Sequence, residues 1–312
     1  MVISVIVCTF NRCRLLEGNL TALSRQEVPA GVDWEVIVVD NNCTDDTAKV
    51  VDRMSADFPT RLRRVEEKKQ GLSNARNRGI RVADGRYLLF TDDDTRPDSA
   101  WMRSVFETFQ TSPCHVVGGK VELLWPGARP RWLADELLSS LAGVDYGAQE
   151  IDLTSERPPL GANVSFKKEV FEKVGLFNPE LGRIGSALIG GEETDLFQRL
   201  VDAHMVGKYQ PRAIVSHALE PERLRKAYFR KIYYYGGRSH GQAHEPCAGR
   251  RIGAVPLFSI RQLMKKVCSS LSAAVSEGPS QAFVQELHAW WLLGFMAGCS
   301  RSRQQTAPRL HA

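Results

Sequence analysis

The sequence predicts an α/β fold whose first part is built from parallel βαβ units, and three observations carry that expectation. Short runs rich in valine and isoleucine alternate with helical patterns over the first 92 residues. The runs are apolar at consecutive positions, as strands buried on both faces are. Two of them end directly in polar side chains, Asp40 and Asp92, which is where ligands gather in open α/β sheets.

In chain order, ISVIVCT (3–9) reads as a buried strand, followed by a helix over about 15–24. WEVIVVD (34–40) is a second buried strand, with a helix from about Asp45. RLRRVEE (61–67) is more polar and suits a flanking strand, and GLSNARNRGIRVADG (71–85) carries a helix ending at Gly85. YLLFTDDD then places a strand at 87–91 directly before three aspartates, and Pro97 suits the start of a helix through Met102 to Phe109. The middle is less regular: a strand at 118–125, a loop at 126–132, a short helix at 134–141, a strand at 161–168 and a helical turn or two at 169–174. GGEETDLFQRLVDAH (190–204) puts Leu196, Phe197 and Leu200 at helical spacing, with its glutamates at the helix N-terminus, and YQPRAIVSH (209–217) is a last strand, ending at His217. Beyond Pro221 the pattern is helical only. The run LHAWWLLGFMAG near the end is about a dozen residues where roughly 20 are needed to span a bilayer, so it suits an interfacial position at most.

Composition bounds the class. The 312 residues are 43% apolar and 25% charged, which excludes disorder as the default. Seven cysteines without a CxxC pair fit neither a zinc ribbon nor a disulfide scaffold and are expected to be reduced. The opening MVISVIVCTFNR lacks the basic lead-in and cleavage site of a signal peptide, so the expectation is a cytoplasmic protein. The net charge of +5 hides an asymmetry. Residues 1–220 carry 27 Lys and Arg against 32 Asp and Glu, and residues 221–312 carry 14 against 4. A basic last third suits either a solvated tail or an anionic surface such as a membrane.

Three adjacent carboxylates, Asp92, Asp93 and Asp94, repel one another unless a cation or strong donors sit beside them. Oxygen donors suit Mg²⁺ or Mn²⁺, ions held by one or two carboxylates with substrate phosphates completing the shell. The bland reading is an acidic turn capping the following helix. His217 at a strand end is a candidate third ligand or a hydrogen-bonded structural residue. Glu192, Glu193 and Asp195 are favoured in a first helical turn regardless of function, and a carboxylate there also suits a general base, with Gly190 and Gly191 allowing close approach. Gly71, Ser73, Asn74 and Arg76 open a helix after a strand, where backbone N–H groups and an arginine suit a phosphate; Arg76 and Arg78 equally suit solvent. No GxGxxG follows the first strand and no GxxxxGK[ST] occurs, which disfavours dinucleotide-binding and P-loop sites.

Taken together, CTFNR (8–12), VVDNNCTDDT (38–47), GLSNARNRGI (71–80), LLFTDDDTRPD (88–98), GANVSFKKEVFEKVGLFNPELG (161–182) and GGEETDLFQRL (190–200) resemble, in order and spacing, the family 2 glycosyltransferases. The resemblance covers about residues 1–240 and leaves 241–312 as a helical, basic extension, a possible membrane-peripheral element. It implies the GT-A fold, a Rossmann-like mixed sheet flanked by helices, a nucleoside diphosphate sugar donor with UDP the commonest, Mn²⁺ or Mg²⁺, inversion at the anomeric carbon, and no role for nucleic acid. It implies contacts to the donor from Thr9, Asn11, Arg12, Asp40, Asn42, Gly71, Asn74 and Arg76, with Asp40 reading the base. Asp94 is the implied direct metal ligand, Asp92 and Asp93 lie towards the ribose and outer shell with Asp92 a further metal candidate, and His217 closes the shell. The family's Glu-Asp pair stands here as Glu192-Glu193, a departure that leaves Glu193 preferred over Glu192 as the base. The implied acceptor is a saccharide or a lipid-linked sugar. Two rivals remain at this level: a sugar nucleotidyltransferase, which would want a glycine-rich basic loop after the first strand where Thr9-Phe10-Asn11-Arg12 stands, and a catalytically silent membrane-surface protein.

Overall fold

The structure, a computed structural model, describes residues 1–182, 191–243 and 250–306. These fall into two compact units, one formed by residues 1–124, 142–182 and 191–218, the other by 125–141, 219–243 and 250–306.

The first unit is a nine-stranded mixed sheet between helices. Its elements are β1 (Ile3–Thr9), α1 (Cys13–Leu23), β2 (Trp34–Asp40), α2 (Thr47–Ser55), β3 (Arg61–Glu66), α3 (Leu72–Val82), β4 (Tyr87–Asp92), β5 (Thr95–Pro97), α4 (Trp101–Thr111), β6 (Val116–Leu124), β7 (Ile151–Asp152), β8 (Asn163–Lys167), α5 (Val170–Val174), α6 (Glu192–Asp202) and β9 (Gly207–Ala218). The strand order is β3-β2-β1-β4-β8-β6-β9-β5, with β7 also on β9. The first four strands in this order are parallel, as the βαβ pattern requires, and β8 enters antiparallel between β4 and β6. The pairing register sets Thr9 opposite Asp40 and Cys8 opposite Asp92, so three strand ends open on one edge of the sheet.

Side-chain alternation divides the core in two. Ile3, Val5 and Val7 of β1 pack with α1, α2 and α4 on one face, while Ile6 packs with α3, α5 and α6 on the other. Gly79 makes the second layer close: a Cβ there would lie 2.5 Å from the Ile6 side chain.

Several sequence expectations shift. Pro97 does not start a helix: residues 95–97 pair as β5 with β9, and α4 begins only at Trp101. Pro lacks the ladder donor, and β5 is an edge strand, where that loss is tolerated. The helix expected to end at Gly85 stops at Val82, because the backbone of residue 85 lies against β1, with its N–H donating to the Ser4 hydroxyl. β9 continues through Ala218, so His217 sits inside the ladder opposite Thr95. No disulfide links the cysteines among the described residues.

The second unit holds α7 (Lys226–Ala243), a short ribbon of β10 (Arg251–Ile252) and β11 (Val255–Pro256), α8 (Leu257–Ser276) and α9 (Pro279–Thr306), so its content is not purely helical. Trp132, Phe229 and Phe283 meet edge to face in its core. Helices α7 and α9 approach to backbone contact: a Cβ on Gly237 would lie 1.9 Å from the Trp291 carbonyl oxygen, and one on Gly294 would lie 1.9 Å from that of Tyr234. The run read as too short to span a bilayer and interfacial at most is part of this packing. Leu287, Ala289, Leu292 and Phe295 are buried, so most of its apolar surface is already spent inside the unit. Among the described residues no helix is long and apolar enough to cross a membrane.

Candidate active site

The aspartate run lies at the exit of β4, and its turn is held from below by a side chain outside every sequence motif. Asn19 is the one polar residue in the buried stripe Leu16, Asn19, Leu20, Leu23 of α1. Its amide donates to the backbone oxygens of Asp92 and Thr95, fixing both ends of the turn. A buried polar residue inside an apolar helical stripe was the available signal for it.

Above that turn the three carboxylates separate by partner. Asp93 accepts from the Thr9 hydroxyl at 2.8 Å and faces Arg12 at 3.4 Å. Asp94 Oδ2 lies 2.9 Å from Arg12 Nη1 and 3.3 Å from His217 Nε2, and both Asp94 and His217 are buried. Asp92 turns the other way, towards Arg76 at 3.8 Å. Burial, followed by the charge of Asp94, pushes the Asp93 carboxyl up to about 7, against the pull of Arg12 and the Thr9 hydrogen bond. The structure thus joins Thr9, Arg12, Asp93, Asp94 and His217 in one cluster whose carboxylates favour added positive charge.

The donor set suits a divalent ion of the Mn²⁺ or Mg²⁺ type. A carboxylate oxygen and an imidazole nitrogen converge, and among the described residues no group of three or more His, Cys, Asp or Glu forms a complete protein cage. Ions of this type keep open positions for water and substrate phosphate. The imidazole nitrogen tilts the preference from Mg²⁺ towards a transition ion.

Asp40 ends β2 next to Thr9. Its Oδ1 accepts from the Cys43 N–H at 2.8 Å and its Oδ2 from Arg64 at 2.9 Å, a partner on β3 that no sequence motif marked. Asn11 and Asn42 take left-handed backbone conformations, with φ of 54° and 64°, which asparagine tolerates better than most residues. Asn11 Oδ1 accepts from Thr44 N–H, and Asn42 Nδ2 donates to the Lys68 carbonyl. The buried member of this loop is Asn41: its amide donates to the Glu67 and Lys69 carbonyls and its oxygen accepts from Gly71 N–H. Gly71 precedes α3 with φ of 133°, a conformation that favours glycine, and Asn74 Nδ2 bonds locally to the Gln70 carbonyl.

Arg76 corrects the solvent alternative of the sequence reading. Expected at a phosphate or in solvent, it is buried on α3 with its guanidinium committed to carboxylates. Nη1 donates to Glu192 Oε1 at 3.1 Å and Nη2 to Glu193 Oε1 at 2.9 Å, with the guanidinium 5.3 Å above the Phe177 ring. Burial works against the guanidinium charge, but the carboxylates around it more than offset this and raise its pKa further. Glu192 is buried, whereas Glu193 keeps 31% of its side chain exposed. Glu193 Oε2 also accepts from the Gly161 N–H at 2.9 Å. Gly161 opens one of the family motifs, where the sequence assigns it no role, and its lack of a side chain is what admits the carboxylate: a Cβ there would lie 1.9 Å from Glu193 Oε1 and 2.4 Å from Arg76 Nη2. Gly190 lies outside the described residues, and Gly191 stands in a left-handed conformation at the N-terminus of α6.

The family model described as glycosyl transferase family 2 matches residues 4–175 of this chain. The chain belongs to that family. The match runs from β1 to the C-cap of α5 and takes in the aspartate run and the Gly161 loop. Among curated relatives, a glucosyl-dolichyl phosphate glucuronosyltransferase of Haloferax volcanii is 28% identical over 229 residues, covering 70% of each chain. The succinoglycan biosynthesis protein ExoM of Rhizobium meliloti is 27% identical over 241 residues, covering 77% of this chain and 74% of its own. Among solved structures, a mannosyltransferase of Pyrobaculum calidifontis in complex with GDP-Man and Mn²⁺ aligns with a TM-score of 0.61 at 19% identity, covering 98% of this chain and 88% of that one. That likeness establishes the fold, which is the GT-A fold of glycosyltransferases.

Proposed function

We propose that this glycosyltransferase moves a sugar from a nucleoside diphosphate donor, with UDP the leading candidate, to a hydroxyl group of a saccharide or lipid-linked acceptor, with inversion at the anomeric carbon. The observation that carries the reading is the arrangement around Arg76 Nη2, which lies 2.9 Å from Glu193 Oε1 and 3.8 Å from Asp92 Oδ1. One fixed cation thereby brings a partly exposed carboxylate and the first residue of the aspartate run within 4 Å of a single guanidinium nitrogen.

In this reading Thr9, Asn11, Arg12, Asp40 and Asn42 border the nucleotide, with Asp40 taking the base, joined by Gly71, at the end of the loop that Asn41 holds in place, and by Asn74 in the first turn of α3. Asp94 and His217 would hold the metal, with Asp92 and Asp93 beside them. When bound, the ion neutralises the diphosphate as it departs. Arg12, 2.9 Å from Asp94, adds fixed positive charge at the same end, which stabilises leaving-group charge as it develops. Glu193 accepts the proton of the acceptor hydroxyl while that oxygen bonds to the anomeric carbon. The bond from this carbon to the diphosphate oxygen breaks, and its electron pair leaves with the nucleoside diphosphate. Glu193 suits the base better than Glu192 because it is the member with exposed surface, while Glu192 is buried and anchors Arg76. Gly161 and Arg76 are positioning residues: each bonds one oxygen of Glu193 and limits its rotamers.

The unit that contains this site is proposed as the catalytic domain, and the basic helical unit as an accessory that brings the enzyme to its acceptor. Lipid-linked and polymeric acceptors are favoured by the relatives, one named for a dolichyl phosphate glycan and one for succinoglycan biosynthesis. The test is product analysis. An α-linked UDP-sugar should give a β-linked product by NMR, and Glu193→Gln should abolish transfer while preserving nucleotide binding. An α-linked product, or full transfer by Glu193→Gln, would refute the assignment.

A further inference from the structure

Helix α8 is amphipathic in the wrong direction. The side chains it turns inward are small or polar for the most part: Ser259 and Ala273 are buried, Ser270 donates to the Ala282 carbonyl, and Lys266 bonds to Gln285 of α9. Its outward face carries Met264, Val267, Leu271 and Val275, spaced by three or four residues, and these are 47 to 91% exposed. Phe258 at its start and Ile252 in the preceding ribbon are also exposed. Of the eleven large apolar side chains exposed among the described residues, six therefore fall between 252 and 275. A surface helix ordinarily buries its apolar stripe, so a stripe turned outward marks an interaction surface.

The charge around the stripe selects the occupant. Residues 250–276 contain Arg250, Arg251, Arg261, Lys265 and Lys266 and no acidic residue. Arg261 and Lys265 are exposed on the flank of the apolar row. A second copy of this chain related by two-fold symmetry would set this cationic surface against itself, because such an interface uses the same patch twice. An anionic lipid surface matches both features, since apolar side chains enter the acyl boundary while lysine and arginine meet lipid phosphates.

We propose that the outward face of α8, through Phe258, Met264, Val267, Leu271 and Val275 flanked by Arg261 and Lys265, docks the protein on an anionic membrane. The apolar run of α9, the more hydrophobic of the two in sequence, is packed inside its unit; the membrane-binding element is the helix before it. This inference deepens the accessory role proposed for the helical unit and does not depend on the assignment of donor, metal or base.

The experiment is co-sedimentation of the full chain with phosphatidylcholine vesicles, with and without one quarter phosphatidylglycerol. It compares the wild type with Leu271→Glu/Val275→Glu and with Arg261→Glu/Lys265→Glu. All four positions are exposed, and a thermal melt together with UDP titration confirms that each variant is folded and that the donor site is unchanged. The wild type should sediment with the anionic vesicles, and each double variant should lose about tenfold or more in partitioning, the first through lost insertion and the second through lost attraction to phosphate. A wild type that stays in the supernatant overturns the proposal. So does equal sedimentation of the variants, which would place the contact elsewhere. A concentration-dependent dimer that Leu271→Glu/Val275→Glu converts to monomer, without vesicle binding, would assign the face to a second copy.

Discussion

The Gly161→Ala substitution tests the positioning of the proposed base, Glu193, more sharply than removal of its carboxylate. The added methyl would sit 1.9 Å from Glu193 Oε1 and 2.4 Å from Arg76 Nη2, far inside the ~3.5 Å at which non-bonded heavy atoms meet comfortably. The carboxylate must therefore retreat by more than about 1 Å, and its hydrogen bond to the residue 161 amide lengthens or breaks. A displacement of about 1 Å at a reacting group costs on the order of a hundredfold in rate. Crowding in a packed site costs ~1–3 kcal/mol of stability. We expect kcat to fall about a hundredfold, with binding of UDP and Mn²⁺ changed less than about threefold, because the groups proposed to hold the donor lie at the ends of β1, β2 and β4. Transfer kinetics with a UDP-sugar, UDP calorimetry and a melting curve separate these effects. A folded Gly161→Ala enzyme with wild-type kcat would show that Glu193 does no chemistry from the position seen here.

Other outcomes follow from the same geometry. Arg76→Ala withdraws the cation facing buried Glu192 and should destabilise the protein by ~3–5 kcal/mol in urea melts, with Arg76→Lys recovering only part of that because lysine lacks the planar fork. Asp93 holds its proton more tightly in the folded chain than in the unfolded one, its carboxyl being raised from 3.8 to about 7. Its contribution to stability is therefore complete below about pH 4 and lost as pH rises through about 7, falling by at most ~1.4 kcal/mol per pH step of one between those values. The metal-free protein should thus lose melting temperature across that window in part through this group, Mn²⁺ should restore it, and Asp93→Asn should flatten the dependence. His217→Gln should weaken Mn²⁺ binding by about tenfold or more while affecting Mg²⁺ less, as read by metal titration, because the imidazole nitrogen is the donor that favours the transition ion.

Much of this organisation was legible in the sequence because it rests on local signals. The strands β1, β2 and β4 are apolar on both faces over four consecutive residues each, 5–8, 36–39 and 87–90, and the aspartates at the end of β4 are placed by the strand that delivers them. The Glu192-Glu193 step at the start of α6 was legible from helical spacing. What escaped depends on pairs far apart in the chain. The bond between Arg76 and Glu193 spans 117 residues, and neither side chain carries a mark that it is buried with the other. Gly161 acts through an amide and an absent side chain, which no residue-type pattern records. Pro97 was misread because a helix-starting proline and an edge-strand proline look alike until the partner β9, more than 100 residues later, is in place. The outward stripe of α8 went unread for a related reason: hydrophobicity identifies a surface that needs covering, and only packing shows that much of the apolar run of α9 is already covered while that of α8 is not.

Calorimetric titration of UDP, GDP and dTDP into the wild-type protein and into Asp94→Ala, each with and without Mn²⁺, asks whether nucleotide, metal and Asp94 act at one site. One nucleotide, UDP first, should bind with Mn²⁺, omission of the metal should weaken binding strongly, and Asp94→Ala should remove the metal-dependent part while the protein stays folded. Binding that is indifferent to both Mn²⁺ and Asp94, or no binding of any of the three, would contradict a single metal-assisted nucleotide-sugar site.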